Sequence, residues 1–338
     1  MPDLPVVGED ADPSDVLVSL LAAGHGDGLP VVPPTAARVA SMLAGVGEPD
    51  VVLGLVPPLF GELTVRAVAW HAVLAGCRPA ELPVVVAACR AALEDRFNLL
   101  GIATTTGAPA VAVLVHGPGT ALTSGAGGLG TGNRANACVG RAVSLALAGI
   151  GGATAGLTDM ATIGSPAKYT CCTAEDGAGL LPSLAVRRGL AADQPAVTVI
   201  GVGSLLEVLP AEGYREAPDV FGPAAAAIAG VALAAGDPRR AALVEQFLLL
   251  PPELASFVAA RGWDAERIGG FLFERGNAAL RSGAAQSGAA ADAVHGLTVA
   301  TSAADVHVVV TGGAGVKMQL LPGWMGGTRS VTAPVRPL

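Results

Sequence analysis

The sequence predicts an α/β protein with mixed or mostly parallel sheets that are covered by helices and divided into two subdomains. Three observations support this prediction. Short apolar runs typical of buried strands alternate with longer stretches that have apolar residues at helical spacing. Hydrophobic residues make up 51% of the 338 residues and charged residues only 14%, which indicates extensive burial. Glycine (46) and proline (25) are abundant, as expected for a chain with many turns.

The first part of the chain alternates strands with helices. The strands are expected at 29–33, 51–56, 110–115 and 196–202. The helices are expected at 35–45, 63–76, 83–94 and 136–149. In the third of these helices a proline stands in the first turn and apolar residues recur at helical spacing, a pattern that favours a helix over a strand. A glycine-rich loop at 124–132 leads into the last helix.

The second part of the chain continues the alternation. Strands are expected at 243–250 and 305–311, and helices at 222–235, 251–260 and 265–277. The segment 280–295 is rich in Ala, Gly and Ser and is interpreted as a surface linker. Because turn-forming residues follow the strand at 196–202, two domains are predicted, at 1–205 and 206–338.

Charge, apolar runs and cysteine content exclude several classes of protein. A net charge of −8 argues against a nucleic-acid partner, which would need a basic face. The longest apolar runs are rich in alanine and too short or too weakly apolar to span a bilayer. The first residues are acidic and lack the basic start and apolar core of a signal peptide, and the cysteine count of 5 is odd. A cytoplasmic protein is therefore expected.

The loop at 127–134 and the start of the following helix are the main candidate for a binding site. Glycines such as Gly130 and Gly132 let a ligand approach main-chain N–H groups, and a helix that opens here directs free N–H groups at the same place. An arginine in this position offers a planar fork to a carboxylate or a phosphate. The alternative is that the asparagines cap the helix and the arginine lies on the surface. The polar residues concerned are Asn133, Arg134 and Asn136.

Cys172 is the candidate reactive group. It fits a nucleophile, a redox thiol or a soft metal ligand, and a thiolate needs a nearby positive charge or helix start to lower its pKa below about 8.5. Lys168 would supply such a charge, and Glu175 would serve as the acid–base partner. The alternative is a buried structural cysteine, the usual state of a free cysteine.

Other polar residues are candidates for contact with a substrate. Asp159 and Thr162 stand in a polar loop, where they would orient the lysine or a substrate, or else form a turn. His116 ends a predicted strand, where α/β enzymes tend to place functional groups, and it also fits an ordinary turn residue. A second glycine loop, at 312–315 with Lys317 after it, is a further candidate for ligand binding.

Several motifs along nearly the whole chain share their order and spacing with one bacterial family. They are DGLPVVPPT at 27–35, VPP at 56–58, AGCRPAELPVVVAA at 75–88, GNRANACVGRA at 132–142, GSPAKYTCCTAE at 164–175 and GGAG at 312–315. The chain resembles a large, poorly characterised family whose genes lie beside, or are fused to, a UGSC-type module with a selenocysteine- or cysteine-Gly-Ser-Cys motif. The resemblance implies an enzyme with a thiol- or selenol-associated role and adds Tyr169 to the catalytic candidates. It also implies a separate UGSC-type partner, because this chain has no such motif.

The chain departs from the motifs of that family at several positions. The family's Asn and Glu after the Ala-Glu pair are replaced here by Asp176 and Gly177. The positions at which the family has Trp, Glu and His hold Leu181, Pro182 and Ala185. These differences remove an acid–base pair that the resemblance implies. They favour either altered chemistry or partial loss of the ancestral activity.

The sequence therefore predicts an enzyme of bacterial metabolism or biosynthesis that acts on a small carboxylated or acyl metabolite. Its chemistry would depend on the Cys172 thiol, as in a lyase, a transferase or an oxidoreductase. One alternative is a non-catalytic ligand-binding or partner subunit of a heteromeric enzyme. A weaker one is a metal-assisted lyase that uses Asp159, Glu175 and Cys172.

No cofactor and no metal are evident from the sequence. The glycine loop fits neither the Walker pattern nor a strict Gly-x-Gly-x-x-Gly after a strand, and no pair of cysteines has zinc-ligand spacing. The expected small-molecule partner is an anionic substrate. The alanine-rich apolar helices predict an oligomer, formed by further copies of this chain or with a homologous or UGSC-type subunit.

Overall fold

The computed structural model describes residues 4–120, 122–176 and 181–338 and confirms the α/β fold. The helices are α1 (Pro13–Ala22), α2 (Ala36–Met42), α3 (Val65–Leu74), α4 (Leu82–Ala91), α5 (Leu99–Thr104), α6 (Arg134–Gly151), α7 (Leu184–Arg187), α8 (Ala217–Ala234), α9 (Pro252–Ala259), α10 (Ala265–Gln286) and α11 (Ala291–His295). The strands are β1 (Val52–Val56), β2 (Gly61–Thr64), β3 (Ala110–His116), β4 (Cys172–Ala174), β5 (Ala196–Val202), β6 (Leu206–Val208), β7 (Gln246–Leu250), β8 (Val306–Val310), β9 (Met318–Pro322) and β10 (Val331–Pro334).

Two mixed sheets of four strands are built by the same order of elements. In the first sheet β3 is followed by α6, then by the parallel strand β4, and then by β5, which pairs antiparallel to β3. In the second sheet β7, α10, β8 and β9 repeat this order and these directions. The chain therefore contains two halves of equivalent topology. The strands β1 and β2 form a separate hairpin.

The two halves exchange their last strands. β6 follows β5 in the chain but pairs with β9 at the edge of the second sheet, and β10 follows β9 but pairs with β5 at the edge of the first. The predicted domain boundary after residue 205 lies between β5 and β6. Because β10 returns the end of the chain to the first sheet, each sheet is completed by a strand from the other half.

The two sheets pack against each other, and helices cover the outer face of each. Successive residues of a strand point to opposite faces. In β3, Val113 belongs to the core under α3, α4 and α6, whereas Leu114 belongs to a core between the sheets. In β7, Leu248 belongs to the core under α8 and α10, whereas Phe247 faces the first sheet. The layers are thus helix, sheet, sheet and helix, and polar residues on the inner faces meet between the sheets.

Two predicted elements are wrong. In the structure, residues 29–33 form no strand, because the prolines of this segment cannot donate to a ladder. Residues 280–295 are not a linker: α10 continues to Gln286 and α11 follows it, since Leu280 and Ala284 pack in the core under α8. The other predicted strands and helices are present, with boundaries that differ by a few residues.

The apolar helices bury part of their surface within the chain. Among the described residues α8 alone is long and apolar enough to cross a membrane by length and composition, and 44% of it is buried. Its buried face, which includes Val220 and Ile228, packs against α10, and a core helix of a soluble protein has the same composition. In the same way α6 buries Val139 and Val143 against α3 and α4.

Candidate functional site

A connected group of buried charged and polar side chains lies between the sheets, beside a cavity of about 990 Å³. The short helix α7 carries Arg187 and is followed by Arg188, and both arginines line this cavity. Ser183 caps α7 by accepting a main-chain N–H bond, which fixes the start of the helix and the direction of the two arginines. From the second sheet, Glu245 and His307 line the same cavity.

Glu245 is the centre of this group. It precedes β7 and lies on the same face as Phe247, which directs its carboxylate between the sheets. It accepts hydrogen bonds from the main-chain N–H and hydroxyl of Ser330 at 2.5 and 2.9 Å, from Arg188 at 2.9 Å and from His307 at 3.0 Å. Burial acts to raise the pKa of Glu245, but the hydrogen bonds and the Arg188 charge outweigh it and lower the pKa to about 2. Glu245 is therefore a carboxylate at neutral pH.

His307 is held against Glu245 as a neutral imidazole. Because Glu245 is ionised and its carboxylate lies 3.0 Å from Nε2, the proton of the ring is on Nε2. Burial lowers the pKa of His307, and the hydrogen bond to Glu245 offsets only part of this effect. Arg188 lies 3.3 Å from Nε2, but two donors face each other there, so this is a contact without a hydrogen bond. Nδ1 keeps its lone pair and has no donor partner among the described residues.

The cavity has more arginines than carboxylates. Its charged lining consists of Arg96, Arg187, Arg188, Arg329, Glu245, Glu266 and Asp305. Arg188 pairs with Glu245, and Arg329 pairs with Asp305. Arg96 donates to the carbonyl oxygen of Ser330 at 2.8 Å, and in the described parts of the chain no carboxylate pairs with it. This unpaired guanidinium makes the cavity suited to an anionic ligand.

A chain of hydrogen bonds connects this group to a second buried pair, His116 and Glu175. Arg188 donates to the hydroxyl of Thr332 at 2.9 Å, Thr332 donates to Thr198 at 2.8 Å, and Thr198 donates to Nε2 of His116 at 2.8 Å. Nδ1 of His116 donates to Glu175 at 2.7 Å, and Glu175 also accepts the first main-chain N–H of α7 at 2.8 Å. With the donors assigned in this order, every donated proton in the series of hydrogen bonds has an acceptor. The two buried His–Glu pairs therefore belong to one network.

Two of the residues predicted as site residues, His116 and Glu175, lie in this network. His116 ends β3 and Glu175 follows β4, so the parallel register of the two strands brings them side by side. The positions near 181–185 that lack the family's acid–base pair hold Leu181 and Ala185, and both are buried apolar residues. Glu175 has its histidine partner on the neighbouring strand instead. Gly177, another of the departures from the family pattern, lies outside the described residues.

Four other candidates form a separate group in the loop before β4. The Nζ atom of Lys168 lies 2.5 Å from the carboxylate of Asp159, so the lysine is oriented and neutralised by that residue. Thr162 donates to the carbonyl oxygen of Thr106 at 3.2 Å. Tyr169 is 43% exposed. The Lys168–Asp159 pair and the Thr162 hydrogen bond therefore stabilise the conformation of this loop.

The polar side chains of the predicted anion site stabilise the fold. Asn133 caps α6 by accepting the N–H bond of Asn136 at 2.9 Å, and Asn136 is fully buried and bonds main-chain groups of the preceding loop. Arg134 pairs with the buried carboxylate of Glu81 and donates to a main-chain carbonyl at 2.9 Å. The side chains therefore have partners inside the protein, and the main chain around Gly130 and Gly132 is what remains for a ligand.

The two predicted glycine loops meet at one cavity of about 500 Å³. It is lined by residues 126–130 and 312–317, and Lys317 is its one charged side chain among the described residues. A Cβ atom at Gly313 would lie 2.6 Å from the Cβ atom of Ala126, so this glycine lets the two loops pack closely on each other. This cavity is lined by fewer side chains that can donate or accept a proton than the arginine-lined cavity.

Cys172 lies in the helical core. It is 2% exposed and packs under α6, where a Cβ atom at Gly140 would lie only 2.9 Å from the Cβ atom of Cys172. Burial, with a smaller contribution from Cys171, raises the pKa of the Cys172 thiol well above its usual range. Such a thiol is a poor nucleophile at neutral pH. Groups of three or more His, Cys, Asp or Glu side chains suited to a metal ion are not found in the described parts of the chain.

We expect Cys172 to react slowly with iodoacetamide at neutral pH in the folded protein, because the thiol is buried and protonated. Half-buried Cys77 and Cys138 should be labelled before the three buried cysteines, and urea should make all the thiols react alike. Peptide mapping by mass spectrometry measures each rate. Lys168→Ala should leave the rate at Cys172 unchanged. Fast labelling of Cys172 that slows in this variant would instead support the thiol chemistry predicted from the sequence.

The functional residues of the arginine-lined cavity were not predicted from the sequence: Arg96, Arg187, Arg188, Glu245, His307 and Arg329. A local signal existed for two of them. His307 interrupts a valine-rich strand, and Glu245 directly precedes an apolar strand, so each is a polar residue at a position that faces the interior. Their approach to Arg188 depends on the packing of the two sheets, for which the local sequence holds no pattern.

Comparisons with known proteins give no family. No protein-family model matches the chain, and no curated protein is significantly similar to it. The similarity to the UGSC-associated family rests on the motifs alone and stays a hypothesis.

Proposed function

We propose that this protein is an enzyme that carries out acid–base chemistry on a small anionic metabolite in the arginine-lined cavity. The observation that carries the proposal is the buried Glu245–His307 pair beside four arginines. A carboxylate that orients a neutral imidazole is a common arrangement for a general base. Perturbed pKa values inside a cavity are typical of functional sites, and both residues have them.

The contacts of each residue indicate the role that it would have in the reaction. Nδ1 of His307 accepts the proton, and Glu245 holds the ring through Nε2 and stabilises the imidazolium that forms. Arg96 binds a carboxylate or phosphate of the substrate, because its own partner is only a carbonyl oxygen. The supported reaction class is removal of a proton from a carbon next to a carboxyl group.

This proposal keeps the substrate class expected from the sequence and changes the chemistry. A small carboxylated metabolite suits the arginines, whereas the burial of Cys172 favours acid–base over thiol chemistry. The non-catalytic alternative, a ligand-binding subunit, would use the same cavity without proton transfer. A cytoplasmic location is part of the proposal, since all five cysteines are unpaired and would stay reduced there.

Anion binding is the first test of this site. Arg96→Ala should weaken binding of citrate or inorganic phosphate by roughly tenfold, the effect of losing about 1.5 kcal/mol from a charged hydrogen bond. Titration calorimetry at low salt measures it. The matched control is Arg239→Ala, because Arg239 is 78% exposed and pairs with Asp237 on the surface. Equal binding by the wild type and both variants would contradict the proposed cavity.

Proton transfer is the second part of the same test. A panel of small carboxylic acids incubated with the protein in D₂O should show deuterium exchange by NMR for the acid that fits. His307→Gln should abolish exchange and retain anion binding, because the arginines are unchanged. Anion binding with no exchange in the wild type would favour the ligand-binding subunit over the enzyme.

A further inference from the structure

Large apolar side chains are concentrated on one surface, formed by the loop at 153–169 and the tip of the β1–β2 hairpin. Six residues there are strongly exposed: Leu59 (68%), Phe60 (57%), Leu157 (76%), Met160 (48%), Ile163 (94%) and Tyr169 (43%). Their exposed fractions add up to almost four fully exposed side chains. At about 200 Å² for each side chain, the exposed area is on the order of 800 Å². We call these six residues the apolar surface.

The two segments that carry the apolar surface lie next to each other. The N–H group of Leu59 donates to the carbonyl of Gly151 at 2.9 Å, which joins the hairpin tip to the start of the loop. Two cavities, of about 150 and 520 Å³, lie among these segments and share Asp159 and Lys168 in their linings. Pro57 lines the first cavity, and Ile163 and Tyr169 line the second. The two segments that carry the six residues therefore border a common pair of cavities, and Ile163 and Tyr169 line one of them directly.

Charge and shape make the apolar surface self-complementary. The charged residues that line its two cavities are paired, Lys168 with Asp159 at 2.5 Å and Asp27 with Arg141 at 2.8 Å, so the cavities carry no unpaired charge although the chain carries −8. Two-fold symmetry places the same patch on both subunits, and like charges there would repel. Ile163 protrudes at the rim of the 520 Å³ cavity, so under such symmetry each copy offers one side chain and one hollow to the other.

We propose that a second copy of this chain docks on the apolar surface and forms a two-fold symmetric dimer. The exposed apolar area matches the roughly 800 Å² that each partner buries in a standard interface. A nucleic acid or an anionic membrane would need a basic surface, which these paired charges do not provide. Docking would cover the Lys168–Asp159 pair and Tyr169. The arginine-lined cavity shares no lining residue with the two cavities of the apolar surface, so docking would not cover it.

The oligomeric mass and one charge substitution test the dimer. Light scattering and sedimentation velocity from about 1 to about 100 µM should give twice the 33.2 kDa of one chain. Ile163→Glu should reduce the mass to that of one chain, leave anion binding unchanged and give a melting temperature that no longer depends on protein concentration. The matched control is Val18→Glu on α1, where the side chain is 68% exposed, and this variant should remain a dimer.

Three results would overturn the dimer. One is a wild type that has the mass of one chain at about 100 µM. The second is a dimer that persists in both Ile163→Glu and Leu157→Glu, which carry a charge at the two most exposed positions of the apolar surface. The third is dissociation by Val18→Glu to the same extent. Because Leu157 is 76% exposed, its variant also covers the case in which Ile163→Glu fails to fold.

Discussion

Glu245→Gln should destabilise the protein by about 3–5 kcal/mol, the usual cost of removing one partner from a buried ion pair. The Glu245 carboxylate is 7% exposed and accepts from Arg188, His307 and Ser330. A glutamine presents an NH₂ group to some of these donors and leaves the Arg188 charge without its carboxylate. Urea unfolding at neutral pH, followed by circular dichroism, should show the loss as a lower midpoint with an unchanged slope.

Glu207→Gln is the matched control for this prediction. Glu207 also pairs with a cation, Lys317 at 3.1 Å, but its side chain is 53% exposed. An exposed pair contributes between zero and about 1 kcal/mol, so this variant should unfold at nearly the wild-type urea concentration. Similar losses in the two variants would mean that Glu245 is not the centre of a buried network.

The same carboxylate gives stability a defined dependence on pH. Its folded pKa, about 2, lies below the ordinary 4.5, so its contribution is fully present above the unfolded pKa and is lost as the pH falls through the folded value. Acidification from about pH 5 to about pH 2 should therefore remove roughly 3 kcal/mol that is assigned to Glu245. In Glu245→Gln this part of the acid dependence should be missing.

The sequence predicted those elements whose signal is local. The strand at 196–202 has the predicted bounds, because a run of mostly apolar residues marks a strand buried on both faces. The exchange of β6 and β10 was not predicted, since strands of three and four residues give almost no local pattern and pair with partners from the other half. The layer between the sheets follows from that non-local pairing.

At the candidate site, too, local signals were informative and non-local packing was not predicted. The position of His116 at the end of a strand pointed to a functional residue, and the structure adds Glu175 on the next strand as its partner. By contrast, a motif around Cys172 predicted a reactive thiol, and only the packing of α6 shows that this thiol is sealed in the core. A short motif identifies residue types, whereas burial depends on segments that lie far away in the chain.

Gly140→Ala should destabilise the protein by about 3 kcal/mol, at the upper end of the cost of overpacking a core. The new Cβ atom would lie 2.4 Å from the hydroxyl of Thr170, 2.9 Å from the Cβ atom of Cys172 and 3.0 Å from the main-chain nitrogen of Cys171. The last two atoms cannot rotate away. Thr170 would be displaced from the Ala137 carbonyl, to which it donates at 2.9 Å, and would lose that hydrogen bond.

The same substitution in another helix should have the opposite sign. Gly230 lies inside α8, and apart from the backbone of its own helix and its chain neighbours no atom lies within 4 Å of the position of its Cβ. Gly230→Ala should therefore stabilise the protein by about 0.5–1 kcal/mol through helix propensity alone. Urea midpoints of the two variants, compared with the wild type, measure both signs in one experiment. If Gly140→Ala were neutral, α6 would not press on β4, and Cys172 would be more accessible than its burial implies. Faster iodoacetamide labelling of Cys172 in Gly140→Ala than in Gly230→Ala would show that the close approach at Gly140 is what shields the thiol.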